Sequence, residues 1–182
     1  CLGYKGEVIK DYFLNYQPMH SDCSVDLGTG DVQLLSQHDS FSWRVTLADT
    51  GLHTMTGARV KRVEKYVDGD SFMLTYADAV TDLSIGKLVE FHKSKNKIGT
   101  VTAVSPPSSF GELRVEGDSV VRFREKPETQ DAPINGGYFV FDRGFFEYLS
   151  EDDDCVLERE PLERLVADGQ MGVYTHKGFW QC

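Results

Sequence analysis

The stretch SFMLTYADAVTDLSIGKLVEFHKSKNKIGTVTAV, residues 71–104, decides the fold. Its first part, Ser71 to Tyr76, is a short apolar run of the kind that forms a buried parallel strand. The spacing predicts a helix from Ile85 to Lys95 and a second strand from Ile98 to Val104. Strand, helix and strand at these intervals indicate an α/β protein, in which helices cover both faces of a parallel sheet.

The same alternation continues on both sides of this stretch. Two short strands, Glu112–Val115 and Ser119–Arg124, flank a turn and predict a β-hairpin inserted beside the sheet. No repeat or linker interrupts the chain, so a single domain over 1–182 is expected. Further helices are predicted at Lys5–Tyr16 (ended by Pro18), Met55–Tyr66 (capped at Thr56-Gly57), Arg143–Leu149 and Pro161–Ala167, and further strands at Val32–Ser36, Trp43–Leu47, Asn135–Asp142 and Met171–Thr175.

Composition and charge exclude several classes of function. The 182 residues carry 19 basic against 29 acidic side chains, a net charge of −10 that repels nucleic acid and anionic membranes. No apolar run approaches the roughly 20 residues of a membrane span, and the chain does not open on a signal peptide. We therefore expect a cytoplasmic protein without nucleic-acid or membrane partners; a homo-oligomer stays open.

The reactive side chains are scattered. The four cysteines form no paired spacing, which favours reduced thiols over a zinc site or disulfides, and the five histidines lie outside any HExxH or GxSxG pattern. The usual hydrolase motifs are therefore absent. The cysteines are Cys1, Cys23, Cys155 and Cys182.

Asp78 is the strongest candidate for a metal ligand. It directly follows the strand that ends at Tyr76, and ligands of open α/β sheets bind outside the carboxyl ends of the strands. One carboxylate there suits Mg²⁺ when the phosphates of a nucleotide supply further oxygens. Asp82 either assists it or caps the helix that starts near Ser84.

Three further segments offer groups for a phosphorylated ligand. Glu125 and Lys126 end a strand before Pro127, where the lysine either pairs with a phosphate or forms a solvated pair with the glutamate. Asn135-Gly136-Gly137 opens a buried strand, where a sugar or a neighbouring strand approaches the backbone. The loops Thr50-Gly51 and Thr56-Gly57, with Arg59, offer hydroxyls, backbone donors and a guanidinium to a planar ligand or an anion.

These segments together resemble one family, the glucose-1-phosphate cytidylyltransferases of the sugar nucleotidyltransferase superfamily. The matching motifs occur in family order along the whole chain. They include Gly3-Tyr-Lys-Gly6, Asp49-Thr-Gly51, Met55-Thr-Gly57 with Arg59-Val-Lys-Arg-Val63, Thr75-Tyr-Ala-Asp-Ala-Val-Thr-Asp82, Phe123-Arg-Glu-Lys-Pro127, Ile134-Asn-Gly-Gly-Tyr-Phe-Val140, Glu160-Pro-Leu162 and Gly178-Phe-Trp-Gln181.

The resemblance implies a Rossmann-like, mixed and mostly parallel sheet flanked by helices. It also implies transfer of a cytidylyl group from CTP to α-D-glucose 1-phosphate with Mg²⁺, giving CDP-glucose and pyrophosphate for dideoxysugar and O-antigen synthesis. In-line attack by the sugar phosphate needs positioning and charge neutralisation more than a protein nucleophile. The resemblance implies that Asp78 is a metal ligand. It implies that Arg59 and the Thr50-Gly51 and Thr56-Gly57 loops line the cytidine site. It also implies that Lys126 neutralises the sugar phosphate and that Glu125 and Asn135, with Gly136 beside them, contact the glucose hydroxyls.

Two departures from the family pattern stand out. The family has Tyr-Gly-Asp-Gly around the metal ligand, and this chain has Ala77 and Ala79 in place of the glycines. The glycine-rich loop that grips the triphosphate is expected upstream of Cys1, and a second metal-binding aspartate just past Cys182. We therefore expect an internal fragment of an enzyme, inactive by itself.

Two alternatives stay open. A thymidylyl-, uridylyl- or guanylyltransferase acting on another sugar 1-phosphate shares the fold and most of the motifs. A non-catalytic protein that binds a sugar nucleotide is the second alternative, motivated by Ala77 and Ala79.

Overall fold

The computed structural model describes residues 1–36, 42–105, 112–124 and 133–182. The contacts group the chain into two compact units, Cys1–Val67 with Leu149–Leu157, and Asp68–Tyr148 with Glu158–Cys182. We call them the first and the second unit. Among the described residues, no helix is long and apolar enough to cross a membrane.

The described residues of the first unit, 1–36, 42–67 and 149–157, form three helices and a hairpin. The hairpin strands are exposed along their length and pair antiparallel. The elements are α1 (Gly6–Leu14), α2 (Tyr16–Met19), β1 (Cys23–Val25), β2 (Val32–Leu34) and α3 (Thr56–Arg62), followed by a 3₁₀ turn at Glu64–Tyr66.

Two predictions for this unit are wrong in detail. The first helix ends before Asn15, whose side chain donates to the backbone oxygen of Asp11 at 3.0 Å, and Pro18 lies inside α2. Proline is tolerated there because the first N–H groups of a helix have no partner within it. The segment Trp43–Leu47 is not a strand, because it pairs with no other strand of the described residues. Next to it, Asp49 forms a single isolated bridge with Leu2.

In the described part of the second unit, the main element is a four-stranded sheet. Its order is β3-β8-β5-β9, and β8 is antiparallel to both neighbours while β9 is parallel to β5. The sheet is therefore mixed, as expected, but β5–β9 is the one parallel ladder among its three described ladders. The apolar run predicted as a buried parallel strand forms β3, which pairs antiparallel with β8 and alternates between exposed and half-buried side chains. The elements are β3 (Ser71–Thr75), β4 (Val80–Thr81), α4 (Ile85–Lys95), β5 (Gly99–Val104), β6 (Glu112–Glu116), β7 (Ser119–Arg124), β8 (Ile134–Asp142), a 3₁₀ helix (Arg143–Tyr148), α5 (Glu160–Ala167), β9 (Met171–His176) and β10 (Trp180–Gln181).

Both faces of this sheet are covered. Successive side chains of β8 point to opposite faces and pack on different elements. Val140 is buried with Leu88 of α4 on one face. On the other face Phe141 stacks on Phe145 of the 3₁₀ helix with ring centroids 3.8 Å apart. The predicted α/β layering and the β6–β7 hairpin are confirmed.

A buried histidine ties one helix to the sheet. His92 of α4 is only 3% exposed, and its Nδ1 lies 2.9 Å from the hydroxyl of Thr100 on β5. Its Nε2 lies 3.1 Å from the Asp142 carboxylate at the end of β8. Both ring nitrogens thus have partners, so this histidine is structural.

We expect Phe141→Ala to destabilise the protein by about 3–5 kcal/mol, because the ring is fully buried and its removal leaves a cavity between the stacked phenylalanines. Urea unfolding measures the loss. Val173→Ala, at a position of β9 that is 55% exposed, is the control and should cost less than about 0.5 kcal/mol. Equal losses for the two variants would contradict this account of the core.

Candidate functional site

In the first unit, the loop around Thr50 is held by its own backbone and by the start of the chain. Thr50 is 2% exposed, and both its N–H and its hydroxyl donate to the backbone oxygen of Leu2 at 2.9 Å. The Asp49 carboxylate accepts from the N–H of Gly51 at 3.0 Å. Gly51 has a φ of +100°, and a side chain there would collide with Thr54.

Two arginines of α3 hold this loop from one side. Arg59 donates to the hydroxyl of Thr50 at 2.9 Å and to the Leu2 oxygen at 3.1 Å. Arg62 donates to the Thr50 oxygen at 2.8 Å and to the Thr54 hydroxyl at 2.7 Å. The structure thus brings Thr50, Gly51 and Arg59 together as the sequence predicted. It adds Arg62, whose place on the same helix face three residues after Arg59 was the available signal.

Arg62 also joins the loop to an acidic segment of the same unit. It lies 3.0 Å from the carboxylate of Asp153, which accepts a hydrogen bond from Thr54 at 2.7 Å. The hydrogen bond from Thr54 is the main cause that holds the pKa of Asp153 below its usual value, and the Arg62 charge adds to it.

Thr56 and Gly57 begin α3 against the chain at Cys155–Leu157. The Thr56 hydroxyl accepts from the N–H of Leu157 at 2.9 Å, and the N–H of Gly57 donates to the Cys155 oxygen at 2.9 Å. A side chain at Gly57 would lie 2.7 Å from the Cys155 sulfur. Thr56 therefore does not cap α3 with its side chain as predicted, because Met55 takes the cap position and the hydroxyl is used by Leu157.

In the second unit, Asp78 lies where the sequence predicts. It is exposed, in the turn between β3 and β4, just past the carboxyl end of a sheet strand. Strand β10 pairs with β4 so that Gln181 is opposite Val80. The Asp78 charge beside Cys182 raises the pKa of that thiol, so the two side chains are close.

A cluster of polar groups surrounds the hydroxyl of Tyr76, two residues before Asp78. Tyr76 donates to the Glu158 carboxylate at 2.5 Å, and the Asn135 amide nitrogen lies 3.4 Å from the same hydroxyl. Burial raises the pKa of Tyr76, and the hydrogen bond to Glu158 raises it further, so the phenol keeps its proton. A carboxylate and an amide side by side can bind the hydroxyl groups of a sugar.

The two glycines after Asn135 allow this cluster to form. Gly136 packs so closely on β5 that a side chain would lie 2.9 Å from Val104, and its oxygen accepts from the Trp180 indole at 2.8 Å. Gly137 has a φ of +76°, and a side chain there would lie 2.6 Å from the Tyr76 ring. The neighbouring strand β5 and the Tyr76 ring therefore explain why these two positions lack side chains.

The remaining predicted residues have different outcomes. Glu125 and Lys126 lie outside the described residues. Asp82 does not cap α4, because Ser84 is the cap residue and the Asp82 carboxylate lies 2.9 Å from His176. Within the described parts of the chain, no three acidic, histidine or cysteine side chains converge on a common metal position.

Sequence reasoning missed Glu158 of the Tyr76 cluster, and it missed Trp180, whose indole donates to the Gly136 oxygen. Glu158 precedes the helix start at Glu160-Pro161, where an acidic residue is read as favourable for the helix. Trp180 lies in the motif Gly178-Phe-Trp-Gln181, which contributed to the family resemblance but indicated no binding role. Neither residue has a local pattern that indicates binding. Trp180 reaches Gly136 through the pairing of β10 with β4, and Glu158 reaches Tyr76 through the path of the chain before α5.

Comparisons with known proteins agree on the family. The family model described as nucleotidyl transferase matches residues 31–181. A probable glucose-1-phosphate cytidylyltransferase of Bacillus subtilis is 40% identical over 98% of this chain and 69% of its own length. The glucose-1-phosphate cytidylyltransferase of Salmonella typhi is 42% identical over 100% of this chain and 70% of its own length.

Among solved structures, HddC from Yersinia pseudotuberculosis complexed with GMP-PN superposes with a TM-score of 0.56. The match covers 99% of this chain and 69% of that chain at 18% sequence identity. At this identity the likeness supports the α/β fold and carries no argument about the ligand.

We expect Asp153→Asn to lower the melting temperature at pH 7, because it removes the charge that pairs with Arg62. Folding lowers the pKa of Asp153, so its ionised carboxylate stabilises the folded state at pH values above its usual pKa near 3.8. That contribution is lost as the pH falls through the lower pKa of the folded state. The difference between the melting temperatures of wild type and variant should therefore shrink between pH 7 and pH 3. A difference that is absent at pH 7, or that grows on acidification, would contradict the pairing.

Proposed function

The chain belongs to the nucleotidyl transferase family, and from that premise we propose that it transfers the cytidylyl group of CTP to glucose 1-phosphate. The products are CDP-glucose and pyrophosphate. The two relatives named above, at 40% and 42% identity, support this choice of nucleotide and sugar. The family resemblance of the sequence implies that the CDP-glucose serves dideoxysugar and O-antigen synthesis.

The observation that carries the proposal is the placement of two different chemistries at one end of β3. Asp78 presents an exposed carboxylate there, and Tyr76 lies two residues earlier in the cluster with Asn135 and Glu158. A carboxylate of this kind suits a divalent metal held jointly with nucleotide phosphates. The Tyr76 cluster suits a sugar, so a nucleotide and a sugar phosphate can meet at this edge.

The residues present fit one Mg²⁺ held mainly by substrate. Mg²⁺ commonly takes one or two protein carboxylates and fills its remaining positions with phosphate oxygens and water. We propose Asp78 as one ligand of this ion. When bound, the metal neutralises charge on the phosphates.

The sugar phosphate is bound by the second unit in this proposal. Asn135 and Glu158 bind glucose hydroxyl groups, with Gly136 beside Asn135, and Glu125 and Lys126 take the roles that the resemblance implies. Glu158 can do so while it accepts from Tyr76, because a carboxylate has four acceptor positions. A phosphate oxygen of glucose 1-phosphate then attacks the α-phosphorus of CTP as pyrophosphate leaves.

The cytidine is bound by the first unit in this proposal. The Thr50-Gly51 and Thr56-Gly57 loops offer backbone groups and hydroxyls, and Arg59 offers a guanidinium. Arg59 and Arg62 keep the Thr50 loop in one conformation before the ligand arrives. A loop ordered in advance lowers the entropic cost of binding the base.

Three broader assignments are part of the proposal. The single family match over residues 31–181 supports one partial nucleotidyltransferase domain over 1–182. The net charge of −10 and the four unpaired cysteine positions support a cytoplasmic protein. Assembly into a homo-oligomer is compatible with both.

We expect the full-length protein to release pyrophosphate from CTP and glucose 1-phosphate faster than from dTTP, UTP or GTP offered in competition. Asp78→Asn should lower kcat by roughly 10²- to 10³-fold, because a metal ligand contributes several kcal/mol of charge stabilisation. Asp118→Asn, an exposed turn residue, is the control with the same charge change. A preference for another nucleotide would replace the cytidylyl assignment.

The alanines beside Asp78 should be tolerated. Neither Ala77 nor Ala79 has a positive φ, and the Ala79 oxygen accepts from Tyr138 at 2.8 Å. We therefore expect the double variant Ala77→Gly/Ala79→Gly to change kcat/KM by less than about tenfold. If wild type and double variant are both inactive, the protein is a non-catalytic homologue; if only the double variant is active, the alanines damage the site.

A further inference from the structure

Strand β10 is too short to hold its own position. Its ladder with β4 consists of two residue pairs, Trp180 with Thr81 and Gln181 with Val80. Such a pair of short strands is marginal in water without further contacts. The same strand nevertheless brings Cys182 beside Asp78 and the Trp180 indole to the Gly136 oxygen.

A group of side chains at the base of this ladder supplies the missing contacts. The Thr81 hydroxyl donates to the Phe179 oxygen at 2.7 Å, and the N–H of Asp82 donates to the same oxygen at 3.2 Å. Nε2 of His176 lies 2.9 Å from the Asp82 carboxylate and 3.2 Å from the Thr81 hydroxyl. We call Thr81, Asp82 and His176 the strand clamp.

The chemistry of the clamp fixes the direction of its hydrogen bonds. Three oxygens surround Nε2 of His176, including the Phe179 oxygen at 3.2 Å, so this nitrogen carries a hydrogen and donates. The hydroxyl of Thr81 gives its hydrogen to Phe179 and uses its lone pairs for His176 and for the N–H of Leu83, 3.2 Å away. His176 is the last residue of β9, so the clamp fastens the short ladder to the main sheet.

Close packing leaves the clamp little freedom. A side chain at Gly178 would lie 2.2 Å from the Asp82 carboxylate and 2.7 Å from the His176 ring. The turn between β9 and β10 therefore passes directly over the paired histidine and aspartate. Nothing in the proposed reaction uses Thr81 or His176 as a ligand or an acid.

We propose that the strand clamp is the positioning device of the metal ligand. By fastening β10 to β4 it fixes the turn that carries Asp78 and sets Trp180 against the strand that carries Asn135. Thr81 and His176 are thus positioning residues that act through Asp78. This inference rests on the proposed function, in which Asp78 binds Mg²⁺.

The first test measures whether the clamp holds β10, without any ligand. In a Trp43→Phe background Trp180 is the sole tryptophan, since the chain has two. Thr81→Val keeps shape and charge but removes the hydroxyl, so we expect red-shifted Trp180 emission and stronger quenching by acrylamide as the indole leaves Gly136. His176→Gln should act in the same direction. Thr175→Val, at an exposed position of β9, is the matched control and should leave the emission unchanged. Circular dichroism verifies that the main sheet stays folded.

The second test measures whether the clamp positions the ligand. The affinity of the chain for Mn²⁺ alone is followed by the electron paramagnetic resonance signal of the free ion. Asp78→Asn should abolish the binding of Mn²⁺ at this site. Thr81→Val should weaken the Mn²⁺ affinity by roughly tenfold, the effect typical of groups that orient metal ligands. Thr81→Val leaves the charge unchanged, so a Coulombic loss is excluded.

The outcomes separate the inference from the proposed function. Unchanged Trp180 emission in both Thr81→Val and His176→Gln overturns the clamp. Shifted emission with unchanged Mn²⁺ affinity in Thr81→Val, while Asp78→Asn weakens binding, overturns the positioning role alone. Unchanged affinity in Asp78→Asn overturns the metal role of Asp78 and the positioning role with it.

Discussion

Strand β8 is the constraint on which the second unit depends. Its backbone satisfies hydrogen bonds to β3 on one side and to β5 on the other, so it cannot shift along either neighbour without breaking two ladders. Its side chains alternate between two cores, with Val140 toward α4 and Phe141 toward the 3₁₀ helix. A shift by one residue would exchange these faces. The position of Asn135, Gly136 and Gly137 at its start is therefore fixed by the packing of its far end.

The candidate site follows from where the strands end. The turn after β3 carries Asp78, while the start of the antiparallel β8 carries Asn135, so the two come to the same edge of the sheet because the strands run in opposite directions. Tyr76 lies between them and reaches Glu158 before α5. The last strand, β10, completes this edge from the other side of Asp78. Strand pairing thus places the exposed residues Asp78 and Asn135 at one edge of the sheet.

In the first unit, two arginine side chains order the loop around Thr50, whereas strand pairing orders the site of the second unit. Arg59 and Arg62 bond to Thr50 from the same face of α3; both donate to uncharged oxygens, and Arg62 also pairs with the Asp153 carboxylate. The planar guanidinium can hold several acceptors at once in a fixed geometry, which a lysine at either position could not do. Gly51 allows the loop to turn tightly in front of these groups. The loop is therefore ordered by interactions that leave other backbone groups for a ligand.

The amino-acid sequence by itself determined the α/β class, the helix Ile85–Lys95, the strands that flank it and the location of Asp78, because hydrophobic periodicity and strand ends are local properties. It also determined the family, through motifs such as Asp49-Thr-Gly51. It did not determine that Trp43–Leu47 lacks a ladder, since strand formation depends on a partner elsewhere in the chain. Only the tertiary structure decided that Glu158 joins Tyr76 and that His176 joins Asp82, since these contacts span 82 and 94 residues of sequence and arise from the pairing of strands that no local pattern encodes.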